Sequence, residues 1–181
     1  IISIDNYSSG TKKNHLKNKR IKYYKGNTQN ISQIIKNPKE IIAVFHFGEF
    51  ARIYQSFLKM NECINSNSIG THEVFRFCLE NKIRCIYSAT SASLGNKGKD
   101  KNLSPYAFTK AKNLEMLENL NKWFNLKYEV IYFYNVYTNL FFFIYKNCST
   151  ISRTNMDNHN CSHYNFSNAT DYYIYNNKGH F

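Results

Sequence analysis

The chain lacks the long apolar run that a membrane helix needs: the stretch from Leu140 to Tyr145 falls far short of the ~20 residues required to span a bilayer. Its isoleucine-rich start has neither the length nor the basic front of a secretory signal. Paired cysteines are also missing. Cys63, Cys78, Cys85, Cys148 and Cys161 are odd in number and form no close pairs, which argues for free thiols in a reducing compartment. A soluble, cytoplasmic protein is therefore expected, and triplets such as Asn147-Cys148-Ser149 and Asn165-Phe166-Ser167 carry no weight as glycosylation sites. Acidic residues are few, 12 against 24 Lys and Arg, for a net charge of +12. Such an excess invites a nucleic-acid reading. The positive residues are dispersed, however: one group runs from Lys12 to Lys25 and another is Lys97, Lys99 and Lys101. Neither is interleaved with a nucleic-acid module, so a solvated basic surface is the reading preferred. No metal site is expected either, because Cys148, His159, Cys161 and His163 match no established ligand spacing.

What the chain does contain is enough for one folded domain: 181 residues, 43% hydrophobic and 17% aromatic. Ile1 to Ile4 reads as a buried strand and Arg20 to Tyr24 as a second. Ile31, Ile34 and Ile35 repeat at helical spacing up to Asn37-Pro38, where proline stops a helix. Ile41 to Phe47 is a continuous apolar run, the pattern of a strand covered on both faces. Helical periods follow over Phe50 to Met60 and Glu62 to Asn81, with Val74, Phe75, Cys78 and Leu79 on one stripe. Ile83 to Tyr87 is the next strand, running into a Ser/Thr turn. Pro105 to Phe124 is a long helix with Leu114, Leu117 and Leu120 inward, and Tyr128 to Tyr134 is the last strand. Alternating strands and helices predict an α/β, mostly parallel sheet with right-handed crossovers and flanking helices.

The strongest chemical signal is Tyr106-x-x-x-Lys110, opened by Ser104-Pro105 and preceded by Tyr87-Ser88-Ala89-Thr90-Ser91-Ala92-Ser93. Positions i and i+4 share a helix face, so the phenol and the ammonium are expected in one cleft. There the cation favours ionisation of the phenol, and a phenol so tuned serves as a general acid or base. His46, in the Ile41 to Phe47 run, reads as a packed strand residue rather than a ligand.

These motifs, in this order, resemble the extended short-chain dehydrogenase/reductase superfamily, and within it the NAD-dependent epimerase/dehydratase family acting on nucleotide sugars. The resemblance covers residues 1 to about 137. It implies a Rossmann-type sheet, NAD as cofactor and a nucleotide-diphosphate sugar as substrate, with transient oxidation of a sugar hydroxyl by tightly held NAD. Asp5, at the end of the first strand, is implied to hold the adenosine ribose, with Asn6, Ser8 and Ser9 around it. Gly26-Asn27-Thr28 resembles the stretch beside adenine, with Asn27 where the family has an acid. Phe47, Gly48 and Glu49 are similar to the strand end under the cofactor, and Asn67-Ser68-Ile69-Gly70-Thr71 to the helix that buttresses the central strands, with Asn67 near the cofactor. Thr90 takes the place of the catalytic Ser/Thr, with Ser88 and Ser91 as near alternatives. Tyr106 becomes the proton acceptor, Lys110 its partner and a ligand of the nicotinamide ribose, and Asn135 a contact of the substrate diphosphate. The dehydratase pattern places Asp-Glu after the Ser/Thr, whereas Ser91 and Ala92 follow Thr90, so epimerisation is the activity implied. A homodimer through the family's dimer helices is implied as well.

Two departures shape the expectation for the chain as a whole. The family's first strand and Gly-x-x-Gly-x-x-Gly loop, the main dinucleotide anchor, are absent from the sequence. After Tyr137 the expected Gly-Pro and substrate domain give way to an Asn-, Tyr- and His-rich tail. Residues 1–137 are thus expected to be a partial NAD-binding domain lacking its first strand, and 138–181 an irregular tail compatible with an out-of-frame reading of AT-rich DNA. Either a fragment or a truncated, non-catalytic remnant fits that pattern. Sequencing the flanking DNA in all frames decides between them: a glycine-rich loop upstream and Gly-Pro in a shifted frame mean an epimerase interrupted in this reading frame, and their absence means a natural remnant.

Overall fold

The structure, a computed structural model, describes residues 1–91, 95–133 and 144–146. Strand β1 (Ile2–Asp5) lies parallel to β2 (Lys22–Lys25), with Ile2 opposite Lys22 and Asp5 opposite Lys25. A turn at Thr28–Asn30 leads into one helical turn, α1 (Ile31–Ile34). Strand β3 (Ala43–His46) is followed by α2 (Ile53–Leu58), α3 (Met60–Ile64), a π-helical turn over Asn65–Gly70 and α4 (Thr71–Glu80). Then come β4 (Arg84–Thr90), a 3-10 stretch Gly95–Asn102, α5 (Pro105–Phe124), β5 (Tyr128–Phe133) and β6 (Ile144–Lys146). Strands β3, β4 and β5 are parallel neighbours and β6 joins β5 antiparallel. Among the described residues β1 and β2 form a separate two-stranded sheet. The parallel, Rossmann-like α/β architecture predicted from the alternation of elements is therefore the one observed.

Local chemistry explains the best-formed elements. Helix α5 starts where the Ser104 hydroxyl accepts from the Ala107 amide at 3.0 Å and Pro105 occupies the first turn, needing no amide partner. It stops at Asn125, whose φ of 58° is the left-handed conformation that closes a helix. The Asn121 side chain then ties off the Leu126 carbonyl. Strand β4 lies between β3 and β5, and Cys85, Ile86, Tyr87, Ser88, Ala89 and Thr90 are all buried. Against it pack Val74, Phe75 and Cys78 of α4 and Leu117 of α5. The Phe75 and Tyr87 rings meet edge to face at 5.5 Å, a favoured aromatic geometry.

Four expectations need correction. Strand β3 is not covered on both faces: Phe45 is 60% exposed and Ile42, just before it, 90%, because β3 pairs on one side only among the described residues. The helix predicted over Phe50 to Met60 begins at Ile53, and the one over Glu62 to Asn81 is interrupted by the π-helical turn. Ser88, Ala89 and Thr90 continue β4 instead of turning, since β5 supplies ladder partners as far as Thr90 and Phe133. Among the described residues no helix is long and apolar enough to cross a membrane, and Cys63, Cys78 and Cys85 are buried free thiols.

Leu117 is completely buried, so Leu117→Ala is expected to cost about 2–5 kcal/mol. Exposed Lys122 on the same helix should change stability by no more than about 0.5 kcal/mol when replaced by Ala. Urea unfolding followed by circular dichroism compares the two.

Candidate functional site

The carboxyl ends of parallel strands, where ligands gather in open α/β sheets, bring the sequence-selected residues together in two groups. The first surrounds the ends of β1 and β2. The Asp5 carboxylate accepts from the Tyr7 amide at 2.7 Å, and the Asn6 side chain accepts from the Ser8 amide at 2.9 Å. Both bonds fold the loop back on itself, a habit of short polar side chains. The Asn6 amide also donates to the Asn27 side chain at 2.8 Å, joining the ends of the two strands. Asp5, Asn6, Ser8, Ser9 and Asn27 are all exposed.

Thr28 links this group to the second. A Cβ on Gly48 would lie 2.9 Å from the Thr28 methyl group, and a Cβ on Gly70 would collide with the Thr28 hydroxyl. Only glycine lets the β3 loop and the π-helical turn close on Thr28 from both sides. Phe47 and Gly48 are exposed at this junction.

The second group lies between β3, β4, α4 and α5, and its centre is Glu49. One carboxylate oxygen accepts from the Thr71 hydroxyl at 3.0 Å, the Tyr87 phenol at 3.1 Å and the Asn113 amide at 2.9 Å. The other accepts from the Lys110 ammonium. The side chains of Glu49 and Lys110 are 2% and 6% exposed. Lys110 also donates to the Ser88 carbonyl and, at 3.3 Å, to the Ser88 hydroxyl, and its ammonium stands 4.8 Å from the centre of the Tyr87 ring. The Ser88 hydroxyl in turn donates to the His46 carbonyl at 2.9 Å. Burial holds the Tyr87 phenol well above its ordinary pKa, with the Glu49 charge acting in the same direction.

Placement of the remaining expected residues is mixed. Thr90 is buried at the end of β4, two residues beyond Ser88. Tyr106 is half-buried in the first turn of α5, its amide 3.3 Å from the Ser56 hydroxyl. Lys110 is turned into the interior and ion-paired there with Glu49. Asn67 is fully buried and grips the backbone of Phe50, accepting from its amide at 2.6 Å and donating to its carbonyl at 3.1 Å and to Thr109 at 3.2 Å. Glu49 and Asn67 thus use their polar atoms inside the fold. Asn135, and the set Cys148, His159, Cys161 and His163, lie outside the described residues. No metal-binding group of His, Cys, Asp and Glu occurs among the described residues.

Asn113 stands in no sequence motif, and Thr71 and Tyr87 enter only as the ends of such motifs, with no site role. Asn113 could have been singled out, because it follows Lys110 by three positions on the same helix face. Nothing in the sequence marks Tyr87 for a site role among 15 tyrosines. A cavity of about 240 Å³ lined by Cys78, Lys82, Ile83, Asn125 and Lys127 lies at the opposite, amino ends of β4 and β5, away from this chemistry.

The profile of a family described as the NAD dependent epimerase/dehydratase family matches residues 1–154. No curated protein matches the chain. Among solved structures, it is similar to UDP-glucose 4-epimerase from Thermotoga maritima with UDP-glucose, at 24% identity and a TM-score of 0.66, covering 75% of this chain and 48% of that one. It is also similar to UDP-glucose 4-epimerase from Brucella ovis in complex with NAD, at 19% identity and a TM-score of 0.65, covering 74% and 44%. UDP-N-acetylglucosamine 4-epimerase from Methanobrevibacter ruminantium matches at 24% identity and a TM-score of 0.65, covering 75% and 47%. The chain spans slightly less than half the length of each.

His46 supplies a direct test of the buried network. Its Nε2 lies 2.8 Å from the Thr71 hydroxyl, whose proton goes to Glu49, so Nε2 carries the hydrogen and donates. Burial first, with Lys110 adding to it against the opposing pull of Glu49, lowers its pKa from the usual 6.5 to about 4. The unfolded chain therefore binds a proton between those values while the folded chain does not, and stability rises with pH across that window. Lowering the pH from 7 to 4 should remove about 3 kcal/mol through this group. Urea unfolding at stepped pH should show that slope in the natural chain and a much shallower one in His46→Asn.

Proposed function

Because the chain belongs to the NAD dependent epimerase/dehydratase family, we propose that it carries the cofactor half of a nucleotide-sugar epimerase, acting in the cytoplasm on a nucleotide-diphosphate sugar. The observation that carries this reading is the seat of Lys110, whose ammonium donates to the Ser88 carbonyl and hydroxyl, two residues before Thr90 in β4 and one helical turn after Tyr106 in α5. The exposed residues at the ends of β1 and β2 fit a dinucleotide: the Asp5 carboxylate is open to accept a vicinal diol, Asn6, Ser8, Ser9 and Asn27 add exposed polar groups on the same two loops, and Thr28 follows where β2 meets the β3 loop. At Gly48 the exposed backbone permits close approach.

In this reading Asp5 holds the adenosine ribose and its negative charge selects against a 2′-phosphate. Phe47 and Gly48 form the floor, and Lys110 supplies positive charge beside the nicotinamide ribose. NAD, when bound, supplies the hydride acceptor. Thr90 orients the sugar hydroxyl, Tyr106 takes the proton at its phenol oxygen, and Asn135 contacts the substrate diphosphate. Helices α2 and α5, which lie side by side, expose Tyr54, Phe57, Leu58, Phe108 and Met116, an apolar surface suited to a second copy.

A second reading is a non-catalytic Rossmann remnant: among the described residues β1 and β3 each lack a strand on one edge, an arrangement that a piece of a longer chain would share. NAD titration separates the two readings. The epimerase reading expects saturable NAD binding that is insensitive to salt, whereas nucleic-acid binding would be steeply salt-dependent. Asp5→Ala should weaken NAD binding roughly 10- to 100-fold, the scale of a lost charge-assisted hydrogen bond. In a complete form of the protein Tyr106→Phe should abolish turnover of a UDP-hexose while leaving NAD affinity unchanged. No NAD binding in a complete form of the protein supports the remnant.

A further inference from the structure

We propose that Glu49 is a positioning residue: its buried carboxylate fixes where the Lys110 ammonium points, and so sets the charge at the carboxyl end of β4. This deepens the proposed function and rests on its placing a cofactor sugar beside Lys110.

The donor and acceptor inventory carries the proposal. An ammonium has three protons, and Lys110 has three acceptors: the Glu49 carboxylate, the Ser88 carbonyl and the Ser88 hydroxyl oxygen. The Ser88 hydroxyl gives its own proton to the His46 carbonyl, so it meets Lys110 with a lone pair. Glu49 is the only anion in this set, and the Lys110 side chain is 6% exposed. Without it, an ammonium so buried would face neutral oxygens alone, a costly arrangement. The carboxylate is itself fixed on its far oxygen by Thr71 of α4, Tyr87 of β4 and Asn113 of α5. Three separate elements thus aim Glu49, and Glu49 aims Lys110. Helix α5 alone specifies only the face from which Lys110 departs.

Glu49→Gln tests the charge with little change of shape. A glutamine offers one acceptor oxygen and one donor amide. Satisfying Thr71, Tyr87 and Asn113 turns its NH2 toward the ammonium, and Lys110 must leave its seat. In the natural chain, with lysine 15Nζ labelling, a slowly exchanging ammonium resonance absent from Lys110→Met is expected. Its exchange should be at least tenfold faster in Glu49→Gln.

A double-mutant cycle in urea provides the second measurement. The doubly substituted chain should unfold at a midpoint no lower than Lys110→Met alone, because the two changes remove one interaction. NAD affinity should fall tenfold or more in Glu49→Gln. A natural chain with no protected Lys110 resonance, or unchanged exchange in Glu49→Gln together with additive midpoints, overturns the proposal even if the single variant fails to fold. Failure of a complete form of the protein to bind NAD overturns the proposed function instead, and the resonance and the cycle then decide for or against Glu49.

Discussion

A carboxylate and an ammonium removed from water together must recover what each loses in hydration, and they do so only when geometry and further hydrogen bonds are favourable. The Glu49–Lys110 pair meets that condition with four donors on the carboxylate and three acceptors around the ammonium. Breaking such a pair by removing one partner typically costs about 3–5 kcal/mol, because the remaining charge stays buried. The cost is what makes the arrangement decisive. Any displacement of α5 along β4, or of the β3 loop away from α4, separates charges that the interior cannot solvate. The positions of Tyr106 in the first turn of α5 and of Thr90 at the end of β4 are consequences of that registration.

The pair also explains why so many polar residues in this region are buried without conflict. Among the described residues, no buried side-chain nitrogen or oxygen lacks a hydrogen-bond partner. His46, Thr71 and Glu49 form a chain in which each donor direction is fixed by the next acceptor, and a neutral histidine is the form that burial favours. Asn67, Thr109 and Asn113 add a second layer that fastens the π-helical turn to α5. Satisfied networks of this kind specify one packing where apolar contacts alone would tolerate several.

Sequence reasoning read the element order well because the relevant signals were strong and local. Ser104-Pro105 and Asn125 bracket α5, the stripe Val74, Phe75 and Cys78 is the buried face of α4, and alternation of strand with helix gave the parallel sheet. It erred where the deciding contact is distant in sequence. The length of β4 depends on ladder partners in β5, and the exposure of Phe45 depends on which strands lie beside β3. The same limit applies to the site. Tyr106 and Lys110 could be seen as a pair because four residues separate them on one helix. That Lys110 faces Glu49, 61 residues away, depends on the packing of the loop after β3 against α5, which no spacing within the chain encodes. Glu49 consequently looked like a cofactor contact at a strand end, although its side chain serves the interior.

The two halves of the candidate site meet at Thr28, and the way they meet constrains both. Among the described residues β1 and β2 share no ladder with the central sheet, so their position depends on side-chain packing: Ile31 and Ile35 enter the core with Val74 and Cys78, and Thr28 fits between Gly48 and Gly70. The Gln29 side chain adds one hydrogen bond, to the Asn65 carbonyl at 3.0 Å. Gly48 is next to Glu49, and Gly70 is next to Thr71, which donates to Glu49. The same two segments that close on Thr28 therefore deliver the carboxylate and one of its donors. A side chain at either glycine would push the β1–β2 unit outward and also move the neighbour that sets the buried charge. The polar loop around Asp5 and the ammonium of Lys110 are in this sense held in one frame, through contacts too small and too close to tolerate a methyl group.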